Sequence, residues 1–193
     1  MTVTRITTSS STWLGPATRS RNLARLAGAA RVDLTPELGV ALMGYGARVG
    51  TAQSVADRLH ARAIALDDGG TNSLIAVSAD LCLMAPEQAL SVRERIAAAT
   101  GVGIPRILVA CTHTHSGPDT GLADLLAGRP VPPHVPSILE GIAAAAVQAW
   151  RAREPATFAW TRTRARIGRN RRVEDALRER AEADRRDVRA MVE

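Results

Sequence analysis

The hydrophobic positions of the chain follow two periods, which together predict an α/β protein. In four short stretches apolar residues alternate with polar ones or run together with β-branched residues, and these predict strands at residues 30–34, 61–66, 73–78 and 107–111. The sequence Asp-Asp-Gly-Gly at 67–70 predicts a tight turn that joins the second strand to the third as a hairpin.

Two helices are expected where apolar residues recur at helical spacing. Pro86 stands at a first-turn position and begins a helix that runs to about residue 99. Ser137 and Glu140 have the spacing of a capping box for a second helix that ends near residue 153. The order strand, helix, strand around the first helix predicts a crossover connection between parallel strands. The predicted fold class is therefore α/β, with a mixed or largely parallel sheet flanked by helices.

Two of the four histidines stand where the last of these strands ends. The strand 107–111 leads into Thr-His-Thr-His-Ser-Gly-Pro at 112–118. Side chains two residues apart in extended backbone point to the same side, so His113 and His115 are expected to converge at the carboxyl edge of the sheet, where α/β proteins bind ligands. Such a pair can hold a metal ion, or it can only hydrogen-bond a loop. A zinc site needs three or four ligands, so the pair supplies half a site at most.

Other polar residues are candidates for the same region. Asp80 follows the strand 73–78 and shares its edge with the histidines, where it either orients a ligating histidine or caps local backbone. Tyr45 lies between two glycines and forms either an active-site rim, where it would contact substrate, or a simple turn. Cys82 and Cys111 are interpreted as small buried residues. His134, in a proline-rich loop, is expected to be solvated.

The charge distribution argues against nucleic-acid binding as the main function. All 25 basic residues are arginine, and the net charge is +4 over residues 1–26, −3 over 27–150 and +5 over 151–193. The globular part is therefore mildly acidic, and aromatic residues make up only 3% of the chain, whereas nucleic-acid binders combine a basic face with stacking aromatics. An arginine-rich binding protein that acts through its two ends remains an alternative.

The two ends of the chain are expected to differ from its centre. Residues 1–26 predict a disordered basic tail, and residues 173–193 a charged helix or tail. Residues 157–167 alternate in polarity and predict one more strand. No apolar run approaches the ~20 residues of a transmembrane helix. The first residues lack the apolar core of a signal peptide, so a cytoplasmic location is expected, with no transmembrane segment.

Several segments in this order resemble the N-terminal part of the neutral/alkaline, non-lysosomal ceramidase family. The resemblance covers residues 27–172, and its specific motif is the Thr-His-Thr-His-Ser-Gly-Pro sequence; the individually weaker segments are 27–36, 42–46, 59–69, 77–81 and 168–172. The resemblance implies zinc-dependent hydrolysis of the amide bond of N-acylsphingosine (ceramide) to sphingosine and a fatty acid.

The resemblance also implies roles for individual residues. His113 matches the first zinc ligand, and His115 matches a neighbouring histidine that faces the substrate and takes part in catalysis. Asn170 and Arg171 match an Asn-Arg segment near the active site, which implies a substrate contact and a catalytic group that stabilises the oxyanion.

The family's remaining zinc ligands are a second histidine, a glutamate and a tyrosine further along, and their motifs are absent from this sequence. The expected fold is therefore incomplete relative to the family's catalytic domain. The chain is expected to be a truncated form. It is either a ceramidase-like zinc amidohydrolase domain, or a non-catalytic remnant that folds partly or only with a second chain.

Overall fold

A five-stranded mixed sheet forms the centre of the structure. The computed structural model describes residues 25–159 and Ala176. The strands and helices below belong to the unit Met1–Thr157, and a second unit is Phe158–Glu193. The strands are β1 (Leu26–Asp33), β2 (His60–Asp67), β3 (Ser73–Ala79), β4 (Ile107–Cys111) and β5 (Glu154–Pro155). The helices are α1 (Pro86–Thr100), α2 (Leu122–Leu126) and α3 (Val135–Arg151), and a 3₁₀ turn, Ile104–Arg106, precedes β4.

The sheet has the order β4-β3-β2-β1-β5, and one of its four pairings is parallel. β2 and β3 form the predicted antiparallel hairpin, and β1 pairs antiparallel with both β2 and β5. β3 and β4 are parallel because α1 returns the chain to the starting edge of the sheet. The predicted α/β class is confirmed, and of the two sheet types considered the mixed one is present.

The helices α1 and α3 pack on one face of the sheet. Alanines on β2 that point to this face are fully buried, which lets α3 approach the backbone of the sheet closely. A β-carbon placed on Gly28 of β1 would collide with the carbonyl oxygen of Ala149 in α3. The larger core side chains are aliphatic, and Ile75 of β3, Ile96 of α1 and Ile142 of α3 are completely buried.

The opposite face of the sheet carries apolar side chains exposed to solvent. Ile64 on β2 pairs with Ala76 on β3, which in turn pairs with Leu108 on β4, so these residues form one row across the sheet. Ile64 is 49% exposed and Leu108 58% exposed. No described helix is long and apolar enough to cross a membrane.

Two predictions about α3 were wrong. The helix begins at Val135 rather than at Ser137, because Pro136 occupies its first turn, where a missing N–H costs nothing. The Ser137 hydroxyl therefore donates to the carbonyl oxygen of His134 (2.9 Å) and forms no capping box. His134 is half-buried rather than solvated, and its Nε2 donates to the carbonyl oxygen of Asp119 (2.7 Å).

The tails predicted for residues 1–26 and 173–193 and the strand predicted for residues 157–167 lie almost wholly outside the described residues.

Candidate metal centre

The parallel pair β3 and β4 brings two loops together at one edge of the sheet. Ala79 and Cys111 are register partners at the ends of these strands. Beyond them the two chains continue side by side, because Thr112 N–H donates to the Ala79 carbonyl (3.0 Å) and His113 N–H donates to the Leu81 carbonyl (3.0 Å). The histidine motif therefore lies at the carboxyl edge of the sheet, as predicted.

His113 turns the chain sharply at this edge. Its φ is +62°, in the left-handed region that side chains other than glycine rarely adopt. The expectation that the motif remains extended was therefore wrong at this residue. The two rings still meet, with 3.4 Å between Nε2 of His113 and Nε2 of His115, and with ring centroids 5.0 Å apart. A residue other than glycine held in this region is typical of functional sites.

The His113 ring is held in one tautomer by the neighbouring loop. Its Nδ1 lies 2.9 Å from the carbonyl oxygen of Cys82. A carbonyl oxygen only accepts hydrogen bonds, so Nδ1 carries a proton, and in the neutral ring the lone pair lies on Nε2. A backbone carbonyl on the second ring nitrogen is the usual partner of a metal-ligating histidine. His113 is therefore oriented to bind a metal through Nε2.

His115 packs against the glycine-rich loop that contains Tyr45. The Tyr45 and His115 rings meet edge to face, with centroids 4.8 Å apart and an interplanar angle of 88°. The loop is fixed to the histidine motif by the Met43 N–H, which donates to the Gly117 carbonyl (3.1 Å). Arg48 covers the other part of the Tyr45 ring, with its guanidinium carbon 4.8 Å from the centroid. Tyr45 is 60% exposed, so it stands at the rim of the histidine pair.

Cys82 completes a group of three potential ligands that the sequence pattern did not bring together. Its sulfur lies 3.8 Å from Nδ1 of His113, and the ligand atoms of Cys82, His113 and His115 all lie within 4.8 Å of one another. The thiol is buried, whereas Cys111 is half-buried, and burial together with the nearby Cys82 raises the pKa of Cys111. The sequence feature that could have indicated this proximity is the position of Cys82, three residues beyond the end of β3, which pairs with β4.

The donor set fits zinc. At Zn–N bond lengths of 2.0–2.1 Å, two nitrogens of a tetrahedral site are ~3.3 Å apart. The observed separation of the two Nε2 atoms, 3.4 Å, matches this edge. Imidazole and thiolate ligands also favour zinc over harder divalent cations such as magnesium and calcium.

The comparison with known proteins identifies the family. The family described as neutral/alkaline non-lysosomal ceramidase, N-terminal, matches residues 26–193. This chain belongs to that family. The crystal structure of neutral ceramidase from Pseudomonas aeruginosa is similar in fold, with a TM-score of 0.60 and 26% sequence identity over 69% of this chain. A structure of a ceramidase complexed with C2 gives the same three values. The chain spans 22% of the length of each of these ceramidase structures.

In this ceramidase-family chain, Asp80 contacts the backbone of His60 and the side chain of Arg62 rather than the imidazole rings of the motif. Its Oδ2 accepts hydrogen bonds from the His60 N–H (3.0 Å) and from Nη1 of Arg62 (2.6 Å). The capping interpretation therefore describes these contacts. Asp80 and Arg62 line a cleft of about 550 Å³ together with Thr114 and Ser116. The motif thus presents Thr114 and Ser116 to this cleft, and its two histidines to Cys82 and Tyr45.

The remaining predicted site residues, Asn170 and Arg171, lie outside the described residues. The structure thus brings three of the five predicted site residues together, namely Tyr45, His113 and His115.

Proposed function

We propose that this chain acts as a zinc-dependent amidohydrolase whose catalytic centre includes His113 and His115. Its substrate would be N-acylsphingosine, cleaved at the amide bond to sphingosine and a fatty acid. The observation that carries the proposal is the state of His113. The ring donates from Nδ1 to the Cys82 carbonyl and directs a free Nε2 toward His115, 3.4 Å away. Membership of the ceramidase family supplies the reaction class.

We assign each residue of the site a separate role. His113 would hold zinc through Nε2, because its Nδ1 already donates to the Cys82 carbonyl. When bound, zinc acts as a Lewis acid that polarises the amide carbonyl and makes a water nucleophilic near neutral pH. His115 would donate a hydrogen bond to the substrate, and Tyr45, whose ring packs against His115 and is 60% exposed, would border the entrance.

Arg171 and Asn170 are proposed from the family motif. The guanidinium of Arg171 would stabilise the oxyanion that develops on the amide, a contribution of ~3–4 kcal/mol for one good donor. Asn170 would contact the substrate beside it. With zinc as cofactor and a ceramide-like lipid amide as substrate, this assignment covers the site residues that the sequence predicted.

The test is release of sphingosine from N-acylsphingosine in detergent micelles, quantified by mass spectrometry. We expect the purified chain to release sphingosine with zinc present, to stop when zinc is chelated, and to resume when zinc is restored. His113→Asn should abolish release. His134→Ala is the control, because His134 bonds the Asp119 carbonyl away from the histidine pair and should leave zinc binding intact. The proposal is overturned if the wild-type chain releases no sphingosine or if His113→Asn releases as much.

A further inference from the structure

We infer that two copies of this chain associate through the side of the sheet that α1 and α3 leave uncovered. This side, the open face, carries the outward side chains of β1 to β4, among them Ile64, Leu74 and Leu108, which are 49%, 43% and 58% exposed. The sizes of its side chains, its charges and its area all fit a second copy as the occupant. The association is independent of the proposed function.

The central row of the open face alternates small and large side chains. Register pairs place Ala29 of β1, Ile64 of β2, Ala76 of β3 and Leu108 of β4 side by side across the sheet. A two-fold axis parallel to the strands, between β2 and β3, lays this row on its own reverse. Ile64 then faces Ala76 of the second copy, and Leu108 faces Ala29. Each large side chain therefore meets a small one, so the two faces interdigitate.

The rows on either side of the central row also fit this arrangement. Leu66 and Leu74 are register partners, and the axis places each against the other in the second copy, so that apolar meets apolar. In the opposite row, Arg62 pairs with Ser78, and the axis places the guanidinium against a hydroxyl. Arg62 also keeps its ion pair with Asp80 of its own chain, at 2.6 Å. No like charges therefore oppose each other between these residues, a situation that would cost affinity.

The area of the open face suits a stable dimer. Neighbouring strands lie ~4.8 Å apart and rise ~3.4 Å per residue, so four strands of up to 8 residues present a face of ~19 by ~25 Å. Protruding side chains raise the accessible surface above this projected area of ~500 Å², towards the ~800 Å² per partner of a standard interface. Apolar residues occupy the centre, and Arg31 and Asp33 lie at the margin on β1, as in the polar rim of known interfaces.

The direction of the axis also relates the two histidine pairs. An axis parallel to the strands keeps the carboxyl ends of β4 in both copies at the same end of the dimer. His113 and His115 follow β4. The two copies therefore present their histidine pairs at one end of the assembly.

The experiment measures the mass of the full chain by light scattering after size-exclusion chromatography, in a dilution series with the cysteines kept reduced. We expect a dimer, with twice the 20.5 kDa of one chain. Ile64→Lys should have the mass of one chain at every concentration, because the lysine would bring an unpaired charge against Ala76 of the second copy. Leu126→Lys is the matched control. Leu126 is 80% exposed but lies on α2, outside the open face, so this variant should remain a dimer.

A second substitution tests which residues face each other. Ala76→Leu makes the open face more apolar, but it fills the space that Ile64 of the second copy occupies. We therefore expect it to raise the Kd of the dimer about 10-fold, the equivalent of ~1.4 kcal/mol of overpacking. Association driven by apolar area alone would instead lower the Kd. Circular dichroism verifies that each variant is folded, which the exposure of Ile64 and Leu126 favours.

The inference is overturned if the wild-type chain has the mass of one copy at the highest concentration. A dimer that Ile64→Lys leaves intact, or that Leu126→Lys disrupts, overturns it as well. An equal or lower Kd for Ala76→Leu contradicts the opposition of Ile64 and Ala76 and overturns the proposed packing.

Discussion

His115 lies against Gly44 so closely that a β-carbon on Gly44 would stand 2.5 Å from Cγ of the ring. The φ of Gly44 is +115°, so a side chain there would be strained as well. The glycine is thus required by a ring that is distant in sequence. We predict that Gly44→Ala displaces His115 and lowers kcat/KM for ceramide about 100-fold, the effect of misplacing a group by ~1 Å.

Gly39→Ala is the matched control for this prediction. Gly39 also has a left-handed φ, +90°, but an added β-carbon there meets no atom within 4 Å. Both variants therefore carry left-handed strain of ~1–3 kcal/mol, and only Gly44→Ala moves the histidine. An equal loss of kcat/KM in the two variants, measured on folded protein, would show that strain rather than contact with His115 is responsible.

The left-handed backbone of His113 predicts how its substitutions differ. Asparagine tolerates this conformation, whereas the β-branched valine does not. His113→Asn should lose zinc, as measured by elemental analysis, with little change in the free energy of unfolding. His113→Val should lose zinc and also ~1–2 kcal/mol of stability. Equal stability of the two variants in urea denaturation would contradict the assigned strain.

Substitution of Asp80 tests whether this residue stabilises the fold or orients a metal ligand. Because its carboxylate accepts hydrogen bonds from Arg62 and the His60 N–H, we predict that Asp80→Ala costs ~1–3 kcal/mol in the free energy of unfolding and leaves zinc affinity unchanged. Asp124→Ala is the control, since it removes an ion pair with Arg129 in which the arginine side chain is 61% exposed, worth ~0–1 kcal/mol. A 10–100-fold loss of metal affinity in Asp80→Ala would instead assign it to the metal site.

Gly28 controls how closely α3 approaches the sheet. A β-carbon there collides with the Ala149 carbonyl, so Gly28→Ala must push the helix away. We predict a loss of ~1–3 kcal/mol, seen as a lower midpoint in thermal or urea unfolding. Gly103→Ala adds the same methyl group where the nearest atom, Cδ of Pro105, is 3.9 Å away. That variant should be neutral or slightly stabilising, because alanine restricts the unfolded chain. If it destabilises as much as Gly28→Ala, the steric explanation fails.

Asp33 links stability to acid pH. Hydrogen bonds from Thr35, with a further contribution from Arg58, lower the pKa of Asp33 from 3.8 to about 2 in the folded chain. Because the pKa is lower in the folded chain, the ionised carboxylate stabilises the folded state at pH values above the unfolded pKa. This stabilisation is lost as the pH falls through the folded pKa. The wild-type chain should therefore lose more stability between about pH 4 and pH 2 than Asp33→Asn.

Urea unfolding at several pH values measures this difference. Asp57→Asn, a substitution of an exposed carboxylate nearby, is the control and should keep the wild-type acid dependence. Identical slopes of unfolding free energy against pH for the wild type and Asp33→Asn would contradict the assigned role.

The sequence predicted those features that depend on local pattern. The apolar pattern of β2 and β3 and the turn between them predicted the hairpin, and the strand–helix–strand order predicted the parallel pair that brings His113 to the sheet edge. The left-handed φ of His113 was not predictable, because no glycine or asparagine marks it. It depends on the hydrogen bond from its N–H to Leu81, which belongs to another loop.

Cys82 could not be assigned to the histidine site from the sequence, for a related reason. It lies 31 residues from His113 in sequence, and only the register of β3 against β4 brings the two together. The capping-box spacing of Ser137 and Glu140 predicts a later start of α3 than the one observed, because Pro136 fixes its own φ near a helical value and begins the helix earlier. Short-range signals conflicted there, and the proline determined the result.

The contact between the His113 ring and the Cys82 carbonyl has a consequence for how the chain folds. A peptide that contains only the histidine motif has both imidazoles but lacks the carbonyl that selects the Nδ1 tautomer. The carbonyl contacts the ring only when the connection between the two segments, which contains α1 and β4, has brought them together. The entropic cost of this closure is offset by the long-range pairing of β3 with β4. Metal affinity should therefore appear late on the folding pathway, and a bound ion would report that the nascent chain has reached its native topology.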